Sequence, residues 1–206
     1  MQKLVIATGN QGKLHELQSL LKDYPYELVT QKSLGISDAD ETGLTFVENA
    51  LIKARHAAHI SGLPALADDS GLCVDVMNGG PGIYSARYAG AGAKDSSNNE
   101  KLLNDLLPFR GQAPLKAQFV CVLVFLRHAN DPLPIICQGI WHGEILAEKR
   151  GEHGFGYDPH FFLPALGLTA AELSSEQKNA ISHRGQALRE LINQLQSRKE
   201  IQTQRD

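Results

Sequence analysis

The first part of the chain alternates short apolar runs with polar segments. Leu4–Ala7 is apolar throughout, which predicts a buried strand, and the polar segment Thr8–Lys13 follows it directly. Leucines then recur at helical spacing within residues 14–21, so we expect a helix there. A strand, a glycine-bearing loop and a helix in this order direct backbone N–H groups and the positive end of a helix dipole at one place, which suits an anion. A plain strand–turn–helix connection explains the pattern as well, and the spacing is not that of a P-loop.

Two further elements are predicted before residue 62. Residues 26–30 are expected to form a second strand, and residues 31–44 a polar connection. Thr45 and Glu48 have the spacing of a capping box, in which side chains at the start of a helix satisfy its unpaired N–H groups. We therefore expect a helix that begins after Thr45 and ends near Ser61.

Two adjacent carboxylates follow an apolar run in the segment Pro64–Gly71. The run predicts a strand that ends at Asp68 and Asp69, and residues 72–76 predict a second strand. Pairing of these strands would place the acids at a tight turn or bulge. A buried carboxylate needs a cation or hydrogen bonds to offset the loss of water, so acids here indicate a site. The alternative is an ordinary turn, because Asp, Ser and Gly are common turn residues.

The second half of the chain contains more extended segments. Residues 98–107 predict a helix, and residues 117–126 and 134–146 predict a hairpin of two long strands. A glycine–aromatic loop follows at residues 154–159, and Ser182 suits the N-cap of a last helix. Helices alternate with strands early and a hairpin comes late, so we predict an α/β fold with a mixed sheet.

Composition excludes several classes of protein. The 206 residues are 42% hydrophobic and 21% charged with a formal net charge of −3, which gives no electrostatic case for a nucleic-acid partner. No repeat or linker divides the chain, so one domain over residues 1–196 and a polar, frayed tail over 197–206 are expected. The three cysteines lack metal-binding or redox spacing and predict free thiols in a reducing cytosol. Without a signal peptide or an apolar run of ~20 residues, we expect a soluble, cytoplasmic protein with no membrane partner.

Carboxylates, isolated cations and an aromatic loop together suit a nucleotide polyphosphate. Its phosphates need lysines and backbone N–H groups, its divalent ion needs carboxylate oxygens, and its base needs a flat apolar surface. Ordinary explanations exist too: Lys53 as a solvated lysine, Phe155 and Tyr157 as packing anchors, and His183 as a surface residue. The candidates are the carboxylates Glu41, Asp68 and Asp69, the cations Lys13, Lys53, Lys178 and Arg184, and the loop at Phe155.

Short motifs occur in a fixed order along the chain and are specific as a set. In this order they resemble the inosine triphosphate pyrophosphatase family, also called the non-standard purine NTP pyrophosphatases, and most closely its bacterial dITP/XTP members. The resemblance covers about residues 3–196. The motifs are Thr8–Lys13, Glu41–Phe46, Glu48–Ala54, Ala67–Gly71, Gly80–Tyr88, Gly154–Pro159 and Ser182–Arg184.

The resemblance implies a fold and an activity. The fold would be an elongated, two-lobed α/β structure with a long twisted mixed sheet flanked by helices, and the active site would lie in the cleft between the lobes. The activity would be Mg²⁺-dependent hydrolysis of ITP, dITP and XTP to the monophosphate and pyrophosphate. This reaction keeps deaminated purines out of DNA and RNA. A homodimer is also implied.

The resemblance also assigns roles to residues. Asp69 would be the catalytic base, and Glu41 with Asp69 would bind Mg²⁺. Arg184 and His183 would donate hydrogen bonds to a 6-oxo group, where adenine presents an amino donor instead. His153 and His160 depart from the residues common in the family and bear on fine specificity. The substrate-binding residues would be Thr8, Gly9, Asn10, Gln11, Gly12, Lys13, Lys53, Asp68, Ser70, Phe155, Gly156, Tyr157, Asp158, Lys178, His183 and Arg184.

Two other functions are compatible with the same residues. A phosphatase would release orthophosphate from a nucleotide or a sugar phosphate, using a similar set of carboxylates and cations. A regulatory module would bind a nucleotide without turnover. The products formed from ITP distinguish all three possibilities.

Overall fold

Seven strands and five helices account for most of the residues that the structure describes, which are 2–22, 24–111 and 114–203 of the computed structural model. The strands are β1 (Gln2–Ala7), β2 (Tyr26–Thr30), β3 (Ala65–Val74), β4 (Lys116–Leu126), β5 (Ile135–Ile145), β6 (Phe161–Leu163) and β7 (Leu168–Thr169). The helices are α1 (Gln11–Leu21), α2 (Phe46–Ser61), α3 (Asp95–Asp105), α4 (Ser175–Ile181) and α5 (His183–Thr203). Short 3₁₀ helices cover Lys32–Leu34, Asp75–Met77, Gly82–Arg87, Leu107–Phe109 and Ala170–Glu172.

The strands form one mixed sheet in the order β2-β1-β3-β4-β5-β6-β7. β1 runs parallel to both of its neighbours, with Leu4 opposite Leu28 and Ile6 opposite Leu66. Antiparallel pairing joins β5 to β6 and β6 to β7. Parallel strands need crossover connections, and α1 and α2 supply them between β1, β2 and β3. The predicted α/β fold with a mixed sheet is confirmed.

The chain forms two compact units. Unit 1 consists of Met1–Asp69, Cys121–Gly139 and Arg184–Asp206, and unit 2 consists of Ser70–Val120 and Ile140–His183. The strands β3, β4 and β5 contribute residues to both units. The single domain over residues 1–196 stays a prediction, since compactness does not say whether either unit folds alone.

The core of unit 1 contains the helix faces that the leucine and alanine spacings predict. Leu17 and Leu21 of α1 lie in one buried cluster with Leu4 and Ile6 of β1, and α5 contributes residues within 187–192. Thr45 begins α2, because its side chain accepts a hydrogen bond from the N–H of Glu48. The small residues that α2 buries are Ala50, Ala54, Ala57 and Ala58.

The core of unit 2 contains a cluster of aromatic rings among aliphatic side chains. The ring of Phe119 lies 4.4 Å from that of Phe161, and Trp141 lies 5.3 Å from Phe161, measured between ring centroids. Leu102 of α3 belongs to the same buried cluster. Tilted aromatic pairs at these distances are favourable beyond the area that they bury.

The prediction that the acid pair ends a strand was wrong. β3 continues without a break from Ala65 to Val74, and both acids lie in its middle. The buried carboxylates have cations beside them, Lys13 for Asp68 and Lys53 for Asp69. Because these charges offset the loss of water, the strand does not have to turn toward solvent at the acids.

Several short elements lay outside the predictions. The helix α4 has 7 residues, and the strands β6 and β7 have 3 and 2, too few to show a period. Helix α5 continues to Thr203, beyond residue 196, while residues 204–206 of the predicted frayed tail lie outside the described residues. Across the described part of the chain, no helix combines the length and apolar character that a membrane span requires.

Candidate active site

Asp68 is the centre of a buried ion-pair network in unit 1. Its Oδ1 lies 2.6 Å from Nζ of Lys13, and its Oδ2 accepts a hydrogen bond from Nε of Arg184 at 2.8 Å. The thiol of Cys121 donates to the same Oδ2 at 3.2 Å. Arg184 is 1% exposed and also pairs with Glu16 of α1. The network therefore joins α1, β3, β4 and the start of α5.

Asp69 shares one lysine with Glu41. Nζ of Lys53 lies 2.7 Å from Oδ1 of Asp69 and 2.8 Å from Oε1 of Glu41. Burial alone would lower the pKa of Lys53, but the two carboxylates raise it above its usual value, so the lysine stays charged. The interpretation of Lys53 as a solvated lysine is wrong, because its side chain is only 14% exposed.

The loop that carries Glu41 is fixed by a close approach to α2. The N–H of Gly43 donates to Oδ1 of Asn49 at 2.8 Å, and a Cβ on Gly43 would lie 2.5 Å from Cβ of Glu48. Only glycine fits at this approach. The loop therefore holds Glu41 beside Lys53.

The adjacent carboxylates of β3 have opposite pKa shifts. Burial alone would raise the pKa of Asp68, but the charges of Arg184 and Lys13 outweigh it and hold this pKa well below its usual value of 3.8. For Asp69, burial raises the pKa above 3.8 despite the lysine beside it, and Glu41 contributes to the rise. Asp68 thus stays ionised, whereas Asp69 takes up a proton more readily than an ordinary aspartate.

The predicted phosphate loop lies between β1 and α1. Asn10 caps α1, since its Oδ1 accepts the N–H of Lys13 at 3.0 Å, and Oγ1 of Thr8 accepts the N–H of Asn10 at 3.2 Å. Gln11 and Gly12 form the first turn, whose N–H groups have no carbonyl partner within a helix. A Cβ on Gly9 would lie 3.1 Å from Oδ1 of Asp38, so a larger residue would crowd the loop.

The glycine–aromatic loop of unit 2 is organised by Asp158. Its Oδ2 accepts hydrogen bonds from Nζ of Lys178 at 2.6 Å and from the N–H of Phe155 at 2.9 Å. Nζ of Lys178 also lies 4.9 Å from the centre of the Phe155 ring, within the range of a cation–π contact. One carboxylate and one lysine thus fix the backbone and the ring of Phe155 together.

Tyr157 and His183 are buried rather than superficial. The hydroxyl of Tyr157 donates to the carbonyl of Ser85 at 2.8 Å, which makes this residue a packing anchor of the loop. His183 is 5% exposed and its ring stacks on Phe119 at 4.9 Å with an angle of 12°. The interpretation of His183 as a surface residue is therefore wrong. Ser70 follows Asp69 in β3 and is half-buried.

A cavity of about 500 Å³ lies against the glycine–aromatic loop within unit 2. Phe155, His153 and His160 line it, with residues of α3 on another side. Nδ1 of His160 lies 3.0 Å from the carbonyl oxygen of Leu146, and burial lowers the pKa of this imidazole. His160 is thus a neutral, hydrogen-bonded ring at neutral pH.

Glu41 and Asp69 fit the oxygen chemistry of a magnesium ion. Oδ2 of Asp69 is buried and has no hydrogen-bond partner among the described residues. Within the described ranges, no group of three or more His, Cys, Asp or Glu is arranged as a metal cage. Magnesium needs no such cage, because it is commonly held by one or two carboxylates together with substrate phosphates.

Sequence reasoning missed several residues that organise these clusters. Glu16 and Cys121 contact the Asp68 network, and Asp95 and Asn99 of α3 hold the backbone of Gly156. Nothing in the sequence indicated that Glu16 pairs with a buried arginine, because a glutamate within a helix is most often an ordinary exposed residue.

The chain matches the model of the Ham1 family over residues 4–194. It belongs to the Ham1 family. The predicted family membership is confirmed.

Relatives in the Ham1 family match nearly the whole chain. A protein of Pectobacterium atrosepticum named dITP/XTP pyrophosphatase is 59% identical over 197 residues, which cover 96% of this chain and 100% of the relative. A protein of Acinetobacter baumannii with the same name is 61% identical over 189 residues, covering 90% of each chain. The solved structure of a HAM1 protein from Coxiella burnetii matches with a TM-score of 0.88 at 49% identity, covering 96% of this chain and 100% of that one. The predicted enzyme class agrees with these names.

Two glycines of the loop provide a matched pair of substitutions. Gly154 and Gly156 both have positive φ, +77° and +62°, so alanine at either should cost about 1–2 kcal/mol of stability. A Cβ on Gly154 would also lie 2.1 Å from Oδ2 of Asp158, whereas nothing lies within 4 Å at Gly156. Gly154→Ala must displace Asp158 from its hydrogen bonds, and we expect a further loss of roughly 2 kcal/mol. Denaturant unfolding of both variants measures the difference, and equal losses would contradict the contact.

Proposed function

We propose that the chain hydrolyses non-standard purine nucleoside triphosphates, dITP, XTP and ITP, to the monophosphate and pyrophosphate. The observation that carries the proposal is the pair Asp68 and Asp69, two neighbouring buried carboxylates with opposite pKa shifts. One stays ionised and holds cations, while the other is suited to accept a proton. Environments that separate the pKa values of neighbouring acids are typical of catalytic sites.

The phosphates are assigned to the Thr8–Lys13 loop and to Lys53. The first turn of α1 offers N–H groups and the positive end of a helix dipole, which favour an anion. Lys13 is shared with Asp68, whose charge is also compensated by Arg184. Lys13 can therefore turn toward a phosphate without leaving Asp68 as an unpaired charge.

Asp69 is assigned as the general base. Its pKa is raised, and its buried Oδ2 has no hydrogen-bond partner among the described residues, so a water bound beside this oxygen with the substrate would transfer a proton to it. The oxygen of that water forms a bond to the α-phosphorus as the bond from this phosphorus to the α–β bridging oxygen breaks, and pyrophosphate leaves. Lys53 stays charged throughout and offsets negative charge near the phosphates.

Glu41 and Asp69 are assigned as the residues that would hold Mg²⁺. When bound, the ion supplies positive charge against the phosphates of the substrate. Nζ of Lys53 lies between these carboxylates, and it would move away from one or both of them when the ion binds. Removal of divalent ions with EDTA should abolish turnover, and added Mg²⁺ should restore it.

The purine is assigned to the residues around the glycine–aromatic loop. Phe155 offers a ring for stacking, held by Asp158 and Lys178. His183 and Arg184 are the proposed donors to a 6-oxo group, and a 6-amino group would leave such donors unpaired. ATP should accordingly be a poor substrate. The roles of Gly156, Tyr157 and Ser70 in substrate binding remain part of the proposal.

Two further properties belong to the proposal. The homodimer rests on the family resemblance, and sedimentation of the purified protein measures it. The cytoplasmic location rests on the thiols of Cys73, Cys121 and Cys137, which are free in the structure as expected in a reducing compartment.

A product-resolved substrate panel tests the proposed function. Pyrophosphate and orthophosphate are measured with dITP, XTP, ITP and ATP in the presence of Mg²⁺ and in EDTA. We expect pyrophosphate from the first three substrates and little product from ATP. Orthophosphate as the sole product would favour the phosphatase, and nucleotide binding without any product would favour the regulatory module.

A further inference from the structure

The loop from Gly154 to Asp158 is not held by strand pairing. It passes through positive φ at Gly154 and Gly156, and it lies outside the strands of the sheet. A loop of this kind keeps one shape only when other groups hold its backbone. The side chain of Asp158 holds the N–H of Phe155 from within the loop.

Two side chains of α3 form hydrogen bonds with the backbone of Gly156. Its N–H donates to Oδ2 of Asp95 at 2.6 Å, and its carbonyl accepts from Nδ2 of Asn99 at 2.9 Å. Asp95 and Asn99 are four residues apart, so they project from the same face of the helix. Two side chains on one face thus bind the donor and the acceptor of one residue, and that residue adjoins Phe155.

Helix α3 is itself fixed to the core of unit 2. Leu102 is fully buried in the aromatic cluster. Asn98 is 3% exposed, its Oδ1 accepts the N–H of Ala89 at 2.8 Å, and its Nδ2 donates to the carbonyl of Ala86 at 3.2 Å. A support anchored in this way moves little, so it can set the position of a loop.

We propose that Asp95 and Asn99 are positioning residues that set the Phe155 loop in the geometry that binds the purine. The role rests on the proposed function, since it acts through Phe155, which is assigned to stack on the base. Asp95 accepts a charge-assisted hydrogen bond that is exposed to water, whereas Asn99 donates a neutral one that is half-buried, so we expect similar contributions from the two.

The test compares a ligand that has a purine with one that has only phosphates. Inosine monophosphate and inorganic tripolyphosphate are titrated into the wild type, Asp95→Ala and Asn99→Ala. We expect Asp95→Ala to weaken the binding of inosine monophosphate about 3-fold, because the lost hydrogen bond is charge-assisted but exposed to water. Asn99→Ala should weaken it about 3-fold, because water can reach the half-buried carbonyl of Gly156. Tripolyphosphate should bind all three proteins alike.

Steady-state kinetics with dITP provide the second readout. Positioning of the purine affects the binding of substrate and transition state equally. KM for dITP should therefore rise by the factor by which the affinity for inosine monophosphate falls, while kcat stays within about 2-fold of the wild-type value. Ser97→Ala is the matched control, since Ser97 is an exposed side chain on the same helix that does not line the cavity beside Phe155, and it should change neither constant. Asp95→Asn replaces the alanine variant if that one does not fold.

Hydrogen exchange measures the loop directly. The amide of Gly156 should exchange faster in Asp95→Ala than in the wild type, with amides of β4 unchanged. Unchanged exchange, or equal weakening of both ligands, would overturn the positioning role. If the wild type releases pyrophosphate from dITP and Asp95→Ala retains full affinity for inosine monophosphate, the positioning role fails and the proposed function stands. If the wild type turns over none of the triphosphates, the proposed function fails, and the positioning role fails with it.

Discussion

Asp69→Asn should lower the rate of dITP hydrolysis by roughly 10³-fold while nucleotide binding is retained. The amide cannot accept a proton from water, and it is a poorer ligand than a carboxylate for Mg²⁺. Lys53 keeps Glu41 as a partner in this variant, so the phosphate contacts assigned to the lysine survive. Pyrophosphate release and calorimetric titration with dITP measure the two effects separately.

The same variant should not be less stable than the wild type. Burial raises the pKa of Asp69, which means that its ionised form is disfavoured in the folded protein. Two carboxylates share Lys53, and neutralising one of them brings this group to electrical balance. Asp40→Asn is the control, because Asp40 is an exposed acid close to Glu41 in sequence and should retain activity. Substantial hydrolysis by Asp69→Asn would refute its role as the base.

Asp68→Asn should have the opposite consequence for stability. The change leaves Arg184 and Lys13 beside a neutral side chain in a site where Asp68 is 1% exposed. Removing one partner of a buried ion pair costs about 3–5 kcal/mol. In this variant Lys13 loses its carboxylate partner, and Arg184 loses Asp68 while it keeps Glu16. For a protein of this size the melting temperature should fall by roughly 10 °C. Thermal unfolding at neutral pH measures the loss.

A control variant and a pH series show whether the loss of stability comes from the burial of the ion pairs or only from the change of charge. Glu27→Gln removes the acid of an exposed pair, Lys3 and Glu27, whose side chains are both 54% exposed, and it should cost less than about 1 kcal/mol. The pKa of Asp68 in the folded protein is below its usual 3.8, so its stabilisation is complete above that value and is lost as the pH falls through the folded pKa. The wild type and Asp68→Asn should therefore converge in strong acid. A loss below 1 kcal/mol at neutral pH would contradict the network.

The opposite pKa shifts of Asp68 and Asp69 have a simple origin in the geometry of β3. Adjacent residues of a strand point to opposite faces, so Asp68 and Asp69 meet different partners although the chain joins them. Asp68 meets two cations and Asp69 meets one lysine that it shares with Glu41. The structural acid thus has two direct ion pairs and the proposed catalytic acid has one, although the charge of Lys13 also acts on Asp69.

Local features of the chain were predictable because they depend on neighbours in sequence. The strand over residues 26–30 and the helix from Phe46 to Ser61 have the predicted bounds. A capping box and a periodic face are short-range patterns, and they act before any tertiary contact exists. The family membership was predictable for a related reason, since ordered motifs are themselves a property of the sequence.

The sequence by itself determined the α/β class, the main helices and strands, and the candidate carboxylates and cations. Only the tertiary structure decided which of them meet. Arg184 lies 116 residues from Asp68 and 168 residues from Glu16 along the chain, yet it contacts both. The same contacts keep β3 continuous through its acids, because a buried charge is tolerated only when distant cations compensate it. Spacing along the chain carries no information about such partners, so the ion pairs that distinguish Asp68 from Asp69 are visible only in the folded protein.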